Sequence, residues 1–344
     1  MPLDESSSRR RFLAALGLGG LMTAWKTPRA RLVAQSPNPA PGATPQWWPS
    51  RWGQGDQAGA SNWITPDKVL DAAKLIRDGK VYRLGRVYEA GMPLFGTRTF
   101  SVTIPGGPTG GPVGANKLVY HDEFVAGQIG QIGTQFDGLG HIGIQRGRDG
   151  DRSEMRYYNG LSEQEIASSD GLLKLGIEQV KPLVTRGHLV DVAGLKGRML
   201  NQGEEITVAD LRAAISRQGM NETDIKQGDA ILFHTGWGQL WMKDNAKYGA
   251  GEPGIGLEVA RWVADRGLCL TGADSWSVEV VPPADKSLAF PVHGELLTKH
   301  GIFNHENLVF DALLAERKYQ FMYVFVPVPI KGATGSPGCP IAIT

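Results

Sequence analysis

The chain has 344 residues, long enough for one large domain or two ordinary ones. Its 36 Lys and Arg nearly cancel its 35 Asp and Glu, so no global field steers it to nucleic acid, an anionic membrane or a strongly charged partner. Its 46 glycines follow no repeat period, which excludes a fibrous chain, and two cysteines, Cys269 and Cys339, are too few for a disulfide framework.

The N-terminus reads as an address. Ser8-Arg9-Arg10-Arg11-Phe12-Leu13 precedes a short, glycine-containing apolar run from Ala14 to Met22, too short to span a bilayer comfortably. Paired arginines before Phe-Leu resemble the twin-arginine export signal, so residues 1–34 are expected to be removed and the mature protein to be periplasmic, with no membrane anchor after cleavage. Residues 35–50 form a Pro-rich spacer, and residues 51–344 the body.

Within the body, Thr65-Pro66-Asp67 starts a helix, with Val69, Ala72, Ala73 and Ile76 as its apolar stripe and Gly79 as its stop. The stretch from Pro105 to Pro112 reads as a surface loop, with a lid over a site as the sharper alternative. Further helices are expected over Ser162 to Ala167, from the Thr207 cap through Ile215, and over Leu257 to Asp265. Apolar runs of strand length lie at Leu189–Val192, Ala230–Phe233, Leu268–Thr271 and Phe321–Val328. Strands alternating with helices predict an α/β domain, and Asp191, His234 and Asp274 fall where strands finish, the usual place for chemistry in such sheets.

Between Gln131 and His141 the chain reads Gln-Ile-Gly-Thr-Gln-Phe-Asp-Gly-Leu-Gly-His. Glycines let this backbone bend tightly around an ion or ligand. Gln131, Gln135 and Asp137 could turn oxygen ligands to one point, with His141 nearby as a proton carrier. The blander reading has both glutamines and Asp137 bonding within a turn. Gly138-Leu-Gly-His-Ile-Gly143 formally fits a dinucleotide fingerprint, but the polar run Gln145 to Arg152 cannot begin the helix it requires. No Gly-x-Ser-x-Gly elbow appears, which counts against a serine hydrolase. His121-Asp122-Glu123 reads as a solvated turn, because adjacent residues on a strand face opposite ways.

The segment 131–141 resembles the signature of the cyclase-type metal hydrolases, the family of bacterial kynurenine formamidase and isatin hydrolase, whose pattern is His-x-Gly-Thr-His-x-Asp-x-x-x-His. Gly133, Thr134, Asp137 and His141 fit in register, while Gln131 and Gln135 stand where the family has two metal-binding histidines. The resemblance continues through Trp52-Gly53, Gly91-Met92-Pro93, Thr185-Arg186-Gly187, His234-Thr-Gly-Trp237, Gly272-Ala-Asp274 and His293-Gly-Glu-Leu-Leu297, then Glu306-Asn-Leu308 and Gly332 to Pro337. It implies a single swivelling β/β/α-type domain with a mixed sheet and flanking helices. It also implies a divalent metal, Mn or Zn, held by Gln131, Gln135, Asp137, His293 and Glu306, with His305 as the alternative to Glu306. His141 would be the acid and base, and His234, Trp276 and Phe95 would line the substrate pocket. The implied activity is metal-dependent hydrolysis of an amide, lactam, lactone or ester carbonyl on a small, aromatic substrate, in a homo-oligomer. The two His-to-Gln differences keep open a second reading, a periplasmic small-molecule binding protein or pseudo-enzyme with a degenerate metal site.

Overall fold

The computed structural model describes residues 46–344; the export signal expected over residues 1–34 and most of the spacer expected over 35–50 lie outside the described residues. A nine-stranded mixed sheet dominates. Its strands are β1 (Val81–Arg83), β2 (Gln135–Asp137), β3 (Leu183–Asp191), β4 (Ala230–His234), β5 (Leu270–Ala273), β6 (Phe303–Glu306), β7 (Gln320–Phe325), β8 (Gly335–Pro337) and β9 (Ile341–Ile343), in the order β1-β9-β7-β3-β4-β5-β6-β2-β8. The centre, β3-β4-β5-β6, is parallel, and antiparallel strands close both edges. Central parallel strands are covered on both faces, so they appear in the sequence as unbroken apolar runs such as Ala-Ile-Leu-Phe of β4, all buried.

Three helices follow their sequence signals. Helix α1 (Pro66–Ala73) is capped by Thr65 Oγ1, which accepts from Lys68 N, and it packs on β3 and β7. It ends at Ala73, well short of Gly79. Helix α2 (Val208–Arg217) has a full capping box from Thr207 and Asp210. Helix α3 (Leu257–Asp265) buries Val259, Ala260, Trp262 and Val263. The expected Ser162 helix is one turn, Glu163–Ile166, also with a capping box. Strand β7 stops at Phe325, since Pro327 has no N–H to continue the ladder. Residues 105–112 belong to a pair of exposed two-stranded ribbons between Phe100 and Gly127. Cys269 and Cys339 are both free thiols. No helix of the described residues is long and apolar enough to cross a membrane.

Candidate metal and catalytic site

The site is built on the antiparallel seam between β2 and β6. Alternation along β2 puts Gln135 and Asp137 on one face and Phe136 on the other, where it packs on Phe303, Phe325 and His305. Register then decides between the two candidates on β6. Glu306 sits opposite Gln135 and shares its face, whereas His305 sits opposite Phe136 in the core. There His305 Nδ1 lies 2.6 Å from the Tyr323 hydroxyl, and burial pushes its imidazole down to about 3. Glu306 therefore faces the site and His305 does not.

The approach to β2 is a tight loop held from outside. Gly133 has φ +60°, and a side chain there would collide with the Tyr88 ring. Asn307 donates to the Gly133 carbonyl at 2.6 Å, and Thr134 Oγ1 donates to the Asn307 carbonyl at 2.8 Å, so this loop and the end of β6 are tied together.

His293 enters from the helical turn Pro291–His293, which continues into a π-helical segment, Gly294–His300. Its Nε2 lies 3.2 Å from Glu306 Oε1 and 3.4 Å from Asp137 Oδ2. Its Nδ1 contacts Glu279 Oε1, and Glu279 also accepts from the backbone N–H of Val292 at 3.0 Å and of His293 at 3.1 Å. Glu279 thus fixes the turn, the ring and its tautomer together. Sequence reasoning missed it: a glutamate five residues past Gly272-Ala-Asp274 and fourteen before His293 belongs to neither motif, and only the fold brings it behind His293.

Ligand atoms of Asp137, His293 and Glu306 all lie within 4.8 Å of one another. Asp137 Oδ1 and Gln131 Oε1 are buried without a hydrogen-bond partner, and Asp137 Oδ2 has only its 3.4 Å ion pair with His293, as donor atoms awaiting a cation would be. Gln135 donates from Nε2 to Glu306 Oε2, so here it orients a carboxylate. Burial and the Asp137 charge push Glu306 up to about 8. Burial opposes ionisation of Asp137 too, but His141, His293 and Arg98 outweigh it and hold that carboxyl below its ordinary range. Burial likewise disfavours a charged His293, yet Asp137, Glu279 and Glu306 hold it well above the ordinary imidazole value.

Gln135, His141, His293 and Glu306 line one cavity of about 150 Å³, walled by Phe95, Trp276 and Phe290, with Arg98 at its side. Phe95 and Trp276 stack with ring centroids 4.6 Å apart, and Phe290 stands edge-on to both. Burial lowers the His141 pKa more than Asp137 raises it, so the ring is a neutral base at neutral pH. Expected lining residue His234 is placed elsewhere. Its Nδ1 is 2.7 Å from Asp191 Oδ1, and it lines a separate cavity with Arg86 and Asp274, because the ends of β3, β4 and β5 open there and not over β2.

The Cyclase family profile matches residues 82–280. A solved structure described as a novel cyclase is 31% identical, with TM-score 0.74, covering 86% of this chain and 98% of that one. Isatin hydrolase A from Ralstonia solanacearum is 19% identical with TM-score 0.56, covering 81% of this chain and 97% of its own. Isatin hydrolase A from Labrenzia aggregata, bound to benzyl benzoate, is 18% identical with TM-score 0.54, covering 80% and 97%. At these identities the two hydrolases share the fold. No curated protein gives a significant match.

Proposed function

The chain belongs to the Cyclase family, and from that premise we propose that it is a metal-dependent hydrolase opening an amide, lactam, lactone or ester carbonyl of a small aromatic substrate. The observation that carries the reading is the convergence of Asp137, His293 and Glu306, with Asp137 Oδ1 lacking any partner, beside the cavity that His293 and Glu306 share with His141. Asp137, His293 and Glu306 would hold the ion, Gln131 Oε1, buried without a partner, would join them, and Gln135 orients Glu306. Carboxylate and amide oxygens with a single imidazole are a hard donor set, which favours Mn²⁺ over Zn²⁺. A bound divalent ion polarises a carbonyl and lowers the pKa of water. His141 takes the proton from the attacking water and returns it to the leaving nitrogen or oxygen. The aromatic walls hold the ring of the substrate and exclude bulk water.

Export by the twin-arginine route would carry the protein folded, with its metal already loaded, to the periplasm, and assembly as a homo-oligomer is part of the same proposal. Elemental analysis of protein prepared without chelator or immobilised nickel, alongside turnover of aryl formamides and lactones with added Mn²⁺ or Zn²⁺, tests the reading. Stoichiometric metal that is lost in Asp137→Ala, together with turnover, is the expected result. The closed network of His293, Gln135 and the carboxylates favours a second reading, a binding protein with a degenerate site. Protein that takes up neither metal nor activity would make that second reading the conclusion.

Glu279 supplies a finer test. Replacing it with Gln leaves one acceptor for two backbone N–H groups and the His293 ring, and removes the charge behind that ring. Metal affinity in Glu279→Gln is expected to fall about 10–100-fold, the usual effect of losing such a support, as measured by competition with a chromophoric chelator. Unchanged affinity would show that Glu279 serves the turn alone.

A further inference from the structure

Arg98 is the feature of the cavity that hydrolysis does not use. It lines the same space as Gln135, His141, His293 and Glu306, with its guanidinium carbon 5.5 Å from the centre of the Phe95 ring. Among the described residues that guanidinium has no hydrogen-bond or ion-pair partner. Several shielded or paired arginines of the body differ: Arg186, Arg198, Arg212 and Arg266 each meet a carboxylate, and Arg86 donates to two backbone carbonyls, while Arg77, Arg83, Arg148, Arg261 and Arg317, which also lack a side-chain partner among the described residues, are exposed to water. Half-buried, Arg98 is partly shielded from the water that would otherwise satisfy it.

The charges of the cavity show what would satisfy it. Asp137 and Glu306 would be neutralised by a divalent ion, and His141 is neutral. Arg98 then remains as the uncompensated charge facing the cavity, held against an aromatic face that pre-orders it. A planar guanidinium with a fork of donors fits a carboxylate in two parallel hydrogen bonds. Beyond the Phe95–Trp276 pair lies a second, apolar cavity of about 310 Å³ lined by Met92, Pro93, Leu94 and Tyr248, so an apolar body can continue past the ring wall.

Resting on the hydrolase reading, we propose that Arg98 is a specificity-determining residue and that the substrate carries a carboxylate on the aromatic body whose amide or ester is opened. One face of the substrate lies against the Phe95–Trp276 wall, its scissile carbonyl points to Asp137, His293 and Glu306, and its carboxylate meets Arg98.

The test uses the metal-loaded full chain and compares the three isomeric formamidobenzoates with formanilide, which lacks the carboxylate. In the wild type, kcat/KM for at least one formamidobenzoate should exceed that for formanilide by about tenfold or more, as a charge-assisted bidentate contact provides. In Arg98→Gln that ratio should collapse towards parity, chiefly through KM, and Arg98→Lys should restore part of it. A wild-type ratio near parity, or a ratio that survives Arg98→Gln, overturns the proposal. Calorimetry with benzoate and benzyl alcohol separates this from the hydrolase reading itself. Benzoate binding that is lost in Arg98→Gln while benzyl alcohol binding persists supports the anion site, even if no amide is hydrolysed and the hydrolase reading falls. Benzoate bound equally by wild type and Arg98→Gln overturns it.

Discussion

His141→Ala should lower kcat by about 10²- to 10⁴-fold while leaving metal content unchanged. The size follows from the role. A positioned base removes a proton from the attacking water as the new bond forms, and no other side chain lining the cavity is placed to replace it: Glu306 would be held on the ion, His293 is enclosed by three carboxylates, and Gln135 does not titrate. The side chain of His141 lines the same cavity without joining the Asp137, His293 and Glu306 group, which is why the ion should stay. The pH profile gives a second readout. Burial holds the His141 pKa below the ordinary imidazole value, so the acid limb of kcat/KM should fall below about 6.5, and activity should be level through neutrality. Loss of the ion in His141→Ala would make it a ligand, and an acid limb unaltered in the residual activity of the variant would assign the base elsewhere.

Much of this site was legible because its chemistry is local. Seven residues, from Gln131 to Asp137, form one loop and one strand, and the two-residue alternation that separates Gln135 and Asp137 from Phe136 can be read directly. The same rule could not choose between His305 and Glu306 without knowing which residues lie opposite them, since a shift of one residue in register exchanges the faces. The placement of His234 failed for a related reason. Strand ends in sequence predict one functional edge, but β2 joins the sheet antiparallel at β6, and the site follows that seam away from the ends of β3 to β5. Glu279 and Arg98 were invisible for opposite reasons. One acts only through another side chain, and the other is conspicuous only by lacking a partner, which a sequence does not record. The central strands and the capped helices, by contrast, carried their own apolar periods and cap residues, and their boundaries shifted by a few residues.

His293→Ala should destabilise the metal-free protein by about 3–5 kcal/mol near neutral pH, the cost of leaving buried charges without their counter-charge. Asp137, Glu279 and Glu306 are all buried, and the His293 ring lies between them. Without an ion, its imidazolium is the cation that holds these carboxylates together. The sign with pH follows from both groups. His293 has a raised folded pKa, so its contribution is fully present below the unfolded value of about 6.5 and is lost as pH rises through the folded one. Glu306, pushed up to about 8, binds its proton more tightly folded than unfolded, so metal-free stability also falls as pH rises from about 4.5 towards 8. The melting temperature of the metal-free wild type should therefore decline over that interval. A divalent ion should reverse the trend, since it binds the ionised carboxylates, adding about 4 kcal/mol at a thousandfold excess over its Kd. In His293→Ala the gap from wild type should be widest at about pH 6 to 7 without metal, above the ordinary carboxylate range and where the wild type still keeps its imidazolium, and should narrow as pH rises. Thermal denaturation of both proteins across pH, with and without Mn²⁺, measures all of this. Identical metal-free melting curves for the two near neutral pH would mean that the three carboxylates are already relieved by water or protons, and that His293 serves the metal alone.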